Sequence, residues 1–452
     1  MSLSSSSSPL TTHPGVGLAD RVWAADLGAH AGERVRLLGW VHHVRELKRV
    51  AFLLLRDGSG IAQVVVEDAD VRSRLAALSP ESTVAVVGEI VAVAQAPGGV
   101  ELHRPRIEVL STSSGEPPVE LHRPLPGETL PMRLDHAAVA LRHPRVRAAH
   151  RLTAAAVEGF RATLRAHRFV EIATPKLVGA ATEGGANVFP VEYFGGRAYL
   201  AQSPQLYKQV MVGAFERVFE TGPVFRAEPH DTGRHLSQFL SLDAEMGFIR
   251  DHEDVMAMVT EVTRGMAAAA ADCAAEIALL GVEAPSIPPS GSIPAVHFAD
   301  ALALVGEATG EDVHAEPDLA PAHERWLGEW AKREYGSDFL FVVGYPMAKR
   351  PFYTHPDPAR PAYSNSFDLL FRGQEVVTGG QRLHHAADYR HALAARGIAP
   401  EALAGYLEAF MHGMPPHGGF ALGAERWVAR LTGATNVRET TLFPRDRGRL
   451  TP

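Results

Sequence analysis

Arginine, histidine and carboxylate side chains gather in one short stretch of this chain. Arg226 and Glu228 are followed by a polar turn, by Arg234-His235, and by a run that contains Asp243 and Glu245. Alternation of apolar residues predicts two strands joined by a short loop, with Phe225 and Ala227 facing away from Arg226 and Glu228. On the return strand it places one apolar face, made of Leu240, Leu242, Ala244, Met246 and Phe248. Buried mixed charge is costly unless it is paired or holds a ligand, and arginines with carboxylates suit a nucleoside triphosphate and its metal.

Two further segments have a distinct pattern. Residues 416–426 form a glycine-rich run that is predicted to be a strand leading into a helix that carries Arg426. Nearer the N-terminus, apolar residues spaced four apart predict a helix that leads into Phe169-Val170-Glu171-Ile172 and then Thr174-Pro175; they are Leu152, Ala156, Phe160 and Leu164.

In chain order, these three segments resemble motifs 1, 2 and 3 of the class II aminoacyl-tRNA synthetases. The resemblance implies an α+β fold: a five-stranded OB-fold β-barrel, then a catalytic domain whose antiparallel sheet is flanked by helices. It implies that Arg226 and Arg426 are catalytic and that motif 1 forms a homodimer interface. It assigns ATP to eleven residues: Arg226, Ala227, Glu228, Arg234, His235, Leu236, Glu375, Gly423, Ala424, Glu425 and Arg426.

Length and composition limit the partners and the cellular compartment that can be expected. The 452 residues are 46% hydrophobic and carry a net charge of −8, so any RNA contact must come from local patches. Cys273 is the only cysteine, which excludes a disulfide within the chain and is typical of a cytoplasmic protein. No apolar run approaches a membrane span, so no membrane partner is expected.

The predicted domains are a serine-rich disordered tail (1–18), an OB-fold anticodon-binding domain (19–122), a hinge (123–140) and the catalytic domain (141–452). In the barrel the expected strands cover Val35–Val44, Phe52–Leu55, Ala62–Val66, Thr83–Val93 and Ile107–Leu110, with a helical segment near Val71–Leu78. Arg45, Phe52 and Gln63 lie at the spacing that the family uses for anticodon bases. Core packing is the alternative for Phe52.

The amino-acid pocket follows from the same resemblance. Residues 202–209, which contain Gln205 and Lys208, resemble the aspartate-binding stretch of aspartyl-tRNA synthetases, and the asparaginyl enzymes lack that lysine. Lys208 is expected to pair the side-chain carboxylate of L-aspartate, with a solvated helix lysine as the alternative. The other expected aspartate-binding residues are Glu183, Arg226, Thr378 and Arg382.

A magnesium site is implied at Glu375 and Thr378, where the family usually has a serine at the second position. Mg²⁺ keeps several waters and takes one or two protein oxygens plus phosphate, so a sparse signature is expected. ATP is then a co-substrate and Mg²⁺ the cofactor.

The length and the C-terminal segment resemble the archaeal type of aspartyl-tRNA synthetase. Its discriminating branch typically has tryptophan and lysine where this chain has His42 and Pro97. The substitutions indicate the branch that charges both tRNA(Asp) and tRNA(Asn), and hence a functional link to an Asp-tRNA(Asn) amidotransferase. Ordinary drift on a surface loop is the alternative.

The inferred reaction forms aspartyl-adenylate and then transfers aspartate to tRNA. Four other interpretations stay open from the sequence. They are a discriminating aspartyl enzyme, an asparaginyl enzyme, a non-catalytic RNA-binding paralogue, and an asparagine synthetase with the same catalytic fold. Lys208 argues against the asparaginyl enzyme, and the phosphate-binding arginines argue against the non-catalytic paralogue. The N-terminal barrel argues against the asparagine synthetase.

Overall fold

The computed structural model describes residues 21–179, 187–288 and 291–451. The chain divides into two compact units, with the division after His143. The predicted tail (1–18) and Glu183 both lie outside the described residues.

The first unit is a closed five-stranded barrel, which confirms the predicted OB-type architecture. Strand order around the barrel is β1-β2-β3-β5-β4, and only the β3–β5 pair is parallel. The strands are β1 (Arg34–Glu46), β2 (Ala51–Arg56), β3 (Ile61–Val66), β4 (Thr83–Ala92) and β5 (Val100–Ser111). Helix α1 (Ala69–Ala76) follows β3, and α2 (Leu130–Asp135) and α3 (Ala137–Ala140) lie in the stretch predicted as a hinge.

Alternating side chains of the five strands fill the barrel, and Leu37, Leu53, Val64, Val86 and Leu102 are fully buried in it. The fifth strand begins at Val100, seven residues before the predicted start at Ile107. Its first half alternates with polar residues such as Glu101 and His103, so the apolar run that the prediction relied on covers only part of the strand.

The second unit is built on an eight-stranded sheet in the order β12-β13-β14-β15-β16-β11-β10-β6. The six strands in the middle of this order, β13 to β10, pair antiparallel with their neighbours. At the two edges, β12 pairs parallel with β13, and β6 pairs parallel with β10. A separate three-stranded sheet has the order β7-β9-β8. The strands are β6 (Val170–Glu171), β7 (Leu177–Val178), β8 (Pro190–Tyr193), β9 (Gly196–Leu200), β10 (Arg217–Phe225), β11 (Gln238–Gly247), β12 (Ala295–His297), β13 (Phe339–Val343), β14 (Ser366–Phe371), β15 (Gln374–Gln381) and β16 (His417–Gly423).

Helices flank this sheet, as expected for the catalytic domain. They are α4 (Pro144–Ala166), α5 (Gln205–Phe215), α6 (His252–Ala271), α7 (Ala274–Leu280), α8 (Phe298–Thr309), α9 (Pro321–Tyr335), α10 (Ala386–Ala394), α11 (Ala404–Met411) and α12 (Ala424–Thr432). Short 3₁₀ helices cover Ala24–His30, Pro97–Gly99, Met347–Lys349, Pro400–Leu403 and Val437–Thr440. None of the helices within the described ranges has the length and apolarity needed to cross a membrane.

Helix α4 is amphipathic in the predicted register, and its four predicted core residues, Leu152, Ala156, Phe160 and Leu164, are fully buried. It packs against α6 where Gly159 meets Gly265. A Cβ atom built on Gly159 would lie 2.6 Å from the Gly265 carbonyl oxygen, so the two backbones touch there.

Candidate active site

A cleft opens over the centre of the eight-stranded sheet, between the loop after β10 and the start of α12. It brings together most residues that the sequence predicts for ATP. The lining residues are Arg226, Glu228, Arg234, His235, Leu236, Phe239, Ser241, Glu375, Val376, Thr378, Ala421, Leu422, Gly423, Glu425, Arg426 and Val437. Ala227 is not among them, and the Ala424 side chain is buried in the hydrophobic core.

The β10–β11 hairpin positions one wall of the cleft. Phe225 pairs with Gln238, and the pairing ends one hydrogen bond later, where the Arg226 amide donates to the Ser237 carbonyl at 2.9 Å. The prediction that the strand continues through Ala227 and Glu228 is wrong, because the Ala227 amide donates to the Asn187 carbonyl instead. Residues 226–237 therefore form a loop that carries its cations over the sheet.

The apolar face predicted for β11 is correct for its first four members and wrong for Phe248. That residue lies beyond the strand, has a φ of 58° and is 73% exposed. The positive φ turns the chain out of the sheet plane, so alternation no longer applies.

The loop cations are held in place by nearby carboxylates and an aromatic ring. The Arg226 guanidinium lies 5.4 Å from the centre of the Phe239 ring and 4.0 Å from a Glu228 oxygen. Arg234 forms an ion pair with Glu324 of α9. Each guanidinium is thus oriented towards the cleft before any phosphate arrives.

His235 belongs to this loop and feels the charge of Arg426 in α12. Burial, with Arg426, lowers its pKa, although Glu228 at 3.4 Å opposes the shift. The neutral ring has one donor nitrogen and one acceptor nitrogen. A phosphate bound beside it would favour the doubly protonated form.

Strands β14 and β15 supply the acidic wall. Asp368 and Thr378 are directly opposite in register, and the Thr378 hydroxyl donates to an Asp368 oxygen at 2.6 Å. Arg350 donates to both, at 3.2 Å to Asp368 and 3.3 Å to Thr378. Desolvation, together with Asp368 and Glu324, raises the pKa of Glu375 to about 7.

This wall fits a divalent cation. Neighbouring carboxylates oppose each other's ionisation because their negative charges repel. A bound cation offsets this repulsion and so favours the ionised forms. Within residues 21–179, 187–288 and 291–451, no group of three acidic, histidine or cysteine side chains has the geometry of a complete metal cage. Glu375 and Thr378 together with phosphate oxygens would make the sparse ligand set that Mg²⁺ accepts.

The β16–α12 junction closes the cleft from below. Arg426 lies in the first turn of α12, 3.8 Å from Glu375. Glu425 points the other way and accepts a hydrogen bond from the Leu240 amide of β11 at 2.9 Å. Burial raises the pKa of Glu425 to about 7, although the Leu240 amide opposes the shift.

A second groove lies behind this junction, beside α4. Its walls include His150 and Val157 of α4 and the segment from Thr440 to Phe443. Phe239 and Glu425 line both this groove and the cleft, so the two concavities share a wall.

Two of the three cations predicted to bind aspartate, Lys208 and Arg382, lie together on one acidic cluster, whereas Arg226 lines the nucleotide cleft. The Lys208 ammonium is 3.0 Å from Asp243 and 3.4 Å from Glu245, and Arg382 donates to Glu245 at 3.0 Å. Lys208 is 1% exposed, which rules out the solvated helix lysine. Although burial opposes it, Arg382 and Lys208 lower the pKa of Glu245. Gln205 is buried beside them and donates to Gln209.

The barrel presents the three predicted anticodon residues on its outer face. Arg45 is directly opposite Phe52, with the guanidinium 4.9 Å from the ring centre. Gln63 is opposite Leu54, two residues from Phe52 on the same face, and donates to Glu101 at 2.7 Å. Phe52 therefore lies outside the barrel core, contrary to the packing alternative.

His42 occupies a β-bulge of β1 and is 4% exposed, so it is not on a surface loop. Burial, with Arg56, lowers its pKa to about 4, which keeps the ring neutral. Pro97 begins the 3₁₀ turn before β5.

Comparison with known proteins decides the family. The model for class II tRNA synthetases of the D, K and N group matches residues 129–447, and the model for OB-fold nucleic acid binding domains matches residues 35–110. The chain belongs to the class II aminoacyl-tRNA synthetases. The synthetase is 48% identical over 433 residues to the aspartate–tRNA(Asp/Asn) ligase of Thermus thermophilus, covering 96% of this chain and all of that one. It is 44% identical to the ligase of the same name from Aeropyrum pernix, covering 93% of this chain and 96% of the other.

Solved structures give the same family. Asparaginyl-tRNA synthetase from Pyrococcus horikoshii, complexed with asparaginyl-adenylate, superposes with a TM-score of 0.89 at 30% identity, over 96% of this chain and all of the other. Aspartyl-tRNA synthetase from Entamoeba histolytica superposes with a TM-score of 0.85 at 30% identity, over 98% of this chain and 95% of the other.

Three charged residues that contact the residues of the candidate site were not singled out from the sequence. Asp368, Arg350 and Glu324 become neighbours of the predicted ATP residues only through strand pairing and the position of α9. A signal for Asp368 did exist, since it is a lone charge inside the apolar run of β14. Arg350 and Glu324 lie in ordinary polar sequence and carry no such signal.

Proposed function

We propose that this synthetase attaches L-aspartate to tRNA(Asp) and tRNA(Asn), with ATP and through an aspartyl-adenylate. One observation carries the proposal: the cleft that holds Arg226 and Arg426 lies over the same sheet on which Lys208 and Arg382 are buried against Asp243 and Glu245 of β11. Cations suited to a nucleotide phosphate chain and to a carboxylate side chain thus lie on one sheet. The relatives named aspartate–tRNA(Asp/Asn) ligases support the same assignment.

In the first step, an α-carboxylate oxygen of aspartate attacks the α-phosphorus of ATP in line. The new P–O bond forms as the bond to the β-phosphate oxygen breaks, and pyrophosphate leaves. In the second step, a hydroxyl of the terminal tRNA ribose attacks the acyl carbon, and AMP leaves. No protein nucleophile is needed, so catalysis consists of positioning and charge stabilisation.

We assign a role to each cleft residue from its position. Arg226 bridges the substrate carboxylate and the α-phosphate, whereas Arg234, His235 and Arg426 hold the other phosphates and Glu228 holds the adenine end. Arg234 exchanges Glu324 for phosphate when the nucleotide binds. Glu375 and Thr378 would hold Mg²⁺, which would supply neutralising charge for the phosphates. Glu183 is assigned to the substrate ammonium.

Lys208 and Arg382 favour aspartate over asparagine. A carboxylate can accept a charge-assisted bond from each cation, whereas an amide offers one oxygen and turns its NH₂ towards a positive charge. This argues against an asparaginyl enzyme, even though the asparaginyl structure is similar in fold. A non-catalytic paralogue is disfavoured because Arg226, Arg234 and Arg426 all line the cleft.

Recognition of both tRNAs is assigned to the barrel. Arg45, Phe52 and Gln63 would read the bases that the two anticodons share. A small neutral His42 and Pro97 would leave the third position without the excluding groups of the discriminating branch. The product Asp-tRNA(Asn) would then need an amidotransferase. We place the enzyme in the cytoplasm.

Charging of pure tRNA(Asp) and tRNA(Asn) transcripts with labelled aspartate and labelled asparagine tests this function. Comparable aspartylation of both transcripts and no asparaginylation are expected. The double variant His42→Trp, Pro97→Lys should restore a preference for tRNA(Asp). A wild-type preference for tRNA(Asp) of about a hundredfold or more would refute dual charging and leave aspartylation intact.

A further inference from the structure

A closed network of uncharged side chains lies behind the Lys208–Arg382 cluster. Its centre is Gln209, which is completely buried. The Gln209 amide nitrogen donates to the Tyr389 hydroxyl at 3.0 Å and to His417 Nε2 at 3.1 Å. Its carbonyl oxygen accepts from Gln205 at 3.1 Å and from Tyr406 at 3.0 Å.

The Pro415 carbonyl fixes the direction of every hydrogen bond around Gln209. It lies 2.9 Å from His417 Nδ1, so that nitrogen must carry the proton. His417 Nε2 is then an acceptor and requires the NH₂ group of Gln209, which leaves the Gln209 oxygen for Gln205 and Tyr406. Burial lowers the pKa of His417 to about 4, and the neutral ring is the form this arrangement needs.

The same network holds the backbone around Lys208 and Arg382. Lys208 precedes Gln209 in α5. The Arg382 amide donates to the His417 carbonyl at 2.9 Å, and the Tyr389 hydroxyl donates to the Leu383 carbonyl at 2.9 Å. One set of neutral contacts therefore links α5 to the segment that carries Arg382.

We propose that Gln209, with Tyr389 and His417, is a positioning group that fixes the separation of Lys208 and Arg382 and so sets the preference for aspartate over asparagine. The inference rests on the proposed function. Glu245 places one carboxylate oxygen 3.4 Å from Lys208 and the other 3.0 Å from Arg382, so the separation of the two cations suits a carboxylate. A neutral network does this without adding charge to a pocket that must distinguish a charged ligand from a neutral one.

The test measures ATP–pyrophosphate exchange by the full-length enzyme with aspartate or asparagine as the varied substrate. Tyr389→Phe removes one oxygen and leaves the Gln209 amide and the Leu383 carbonyl each short of a partner. Gln209→Met keeps the side-chain volume and removes the centre of the network. In each variant we expect KM for aspartate to rise at least about tenfold, since one buried hydrogen bond is worth about that factor and each variant removes more than one.

In the same variants, KM for ATP should stay within about twofold, because the network does not touch the nucleotide cleft, and the aspartate-to-asparagine ratio of kcat/KM should fall about tenfold. Ser337→Ala is the matched control: it removes a buried hydroxyl that donates to the Phe339 carbonyl, away from the pocket. It should lower stability and leave KM for aspartate unchanged.

Equal changes in the aspartate and ATP parameters, or an unchanged amino-acid preference in Tyr389→Phe, would overturn the positioning role. If Gln209→Met does not fold, Tyr389→Phe decides alone, because it keeps the buried ring. If the wild-type enzyme shows no aspartate-dependent exchange, the proposed function is refuted instead. Failure of the positioning role and failure of the proposed function are therefore distinguishable.

Discussion

At the scale of single residues, the cations of the cleft each lie beside a carboxylate of the chain. Arg226 faces Glu228, Arg234 faces Glu324 and Arg426 faces Glu375. These are partly exposed pairs that contribute little to stability. They matter because each carboxylate holds its guanidinium in a fixed orientation in the cleft. A bound phosphate would there displace the carboxylate or bind beside it.

Arg226→Ala should lower the rate of aspartate-dependent ATP–pyrophosphate exchange by about 10²–10³-fold, since it removes charge stabilisation where negative charge develops. Arg250→Ala is a suitable control, because Arg250 is a highly exposed arginine that pairs with Asp254 at the start of α6. It should leave exchange unchanged. Near-normal exchange in Arg226→Ala would remove that residue from the mechanism.

Glu425→Gln should stabilise the protein in a pH-dependent way. The buried carboxyl has a pKa of about 7, above its ordinary value of 4.5, so its contribution is fully present below pH 4.5 and is lost as pH rises through 7. Ionisation by pH 8 then costs about 2–3 kcal/mol, which glutamine avoids while its oxygen still accepts from the Leu240 amide.

Thermal unfolding of wild type and Glu425→Gln at pH 5 and at pH 8 provides the measurement. The variant should gain stability relative to wild type only at the higher pH. A difference between the two proteins that does not change with pH would show that Glu425 titrates normally in the folded state.

At the scale of elements, the sequence predicts best where one simple period governs the chain. The spacing of Leu152 to Leu164 predicts the buried face of α4, and alternation predicts that of β11 as far as Met246. It fails at Phe248, where a positive φ ends the alternation, and at the start of β5, where polar residues interrupt the apolar run. Contacts such as Asp368 with Thr378 depend on strand pairing, which no single segment encodes.

Gly159→Ala should separate α4 from α6, because the new methyl group would meet the Gly265 carbonyl across the helix contact. The expected cost is about 1–3 kcal/mol of unfolding free energy, measured by denaturant titration. Gly405→Ala in α11 is the matched control, since a Cβ atom there meets nothing within 4 Å. That variant should be neutral or slightly more stable. Equal behaviour of the two variants would contradict a tight α4–α6 contact.

At the scale of the whole molecule, we predict a homodimer formed through the segment around Pro175. Val170 on the edge strand β6 and Leu442 are 41% and 56% exposed, so each offers apolar surface that a second subunit could bury. Val170→Asp should shift the protein from dimer to monomer in light scattering at micromolar concentration. Leu47→Asp, at an exposed leucine of the barrel, is the control and should stay dimeric. A fully active wild-type monomer would refute the prediction.

The nucleotide cleft and the groove beside α4 share a wall. This wall could couple nucleotide binding to dimerisation. Phe239 stacks under Arg226 on one side and lines the groove on the other, and Glu425 of α12 also lines both the cleft and the groove. If the second subunit of the predicted homodimer covers this groove, any shift of these side chains on nucleotide binding changes the shape of the dimer interface. Linkage then requires reciprocity: whatever factor dimerisation applies to the affinity for ATP, saturation with ATP must apply to the dissociation constant of the dimer.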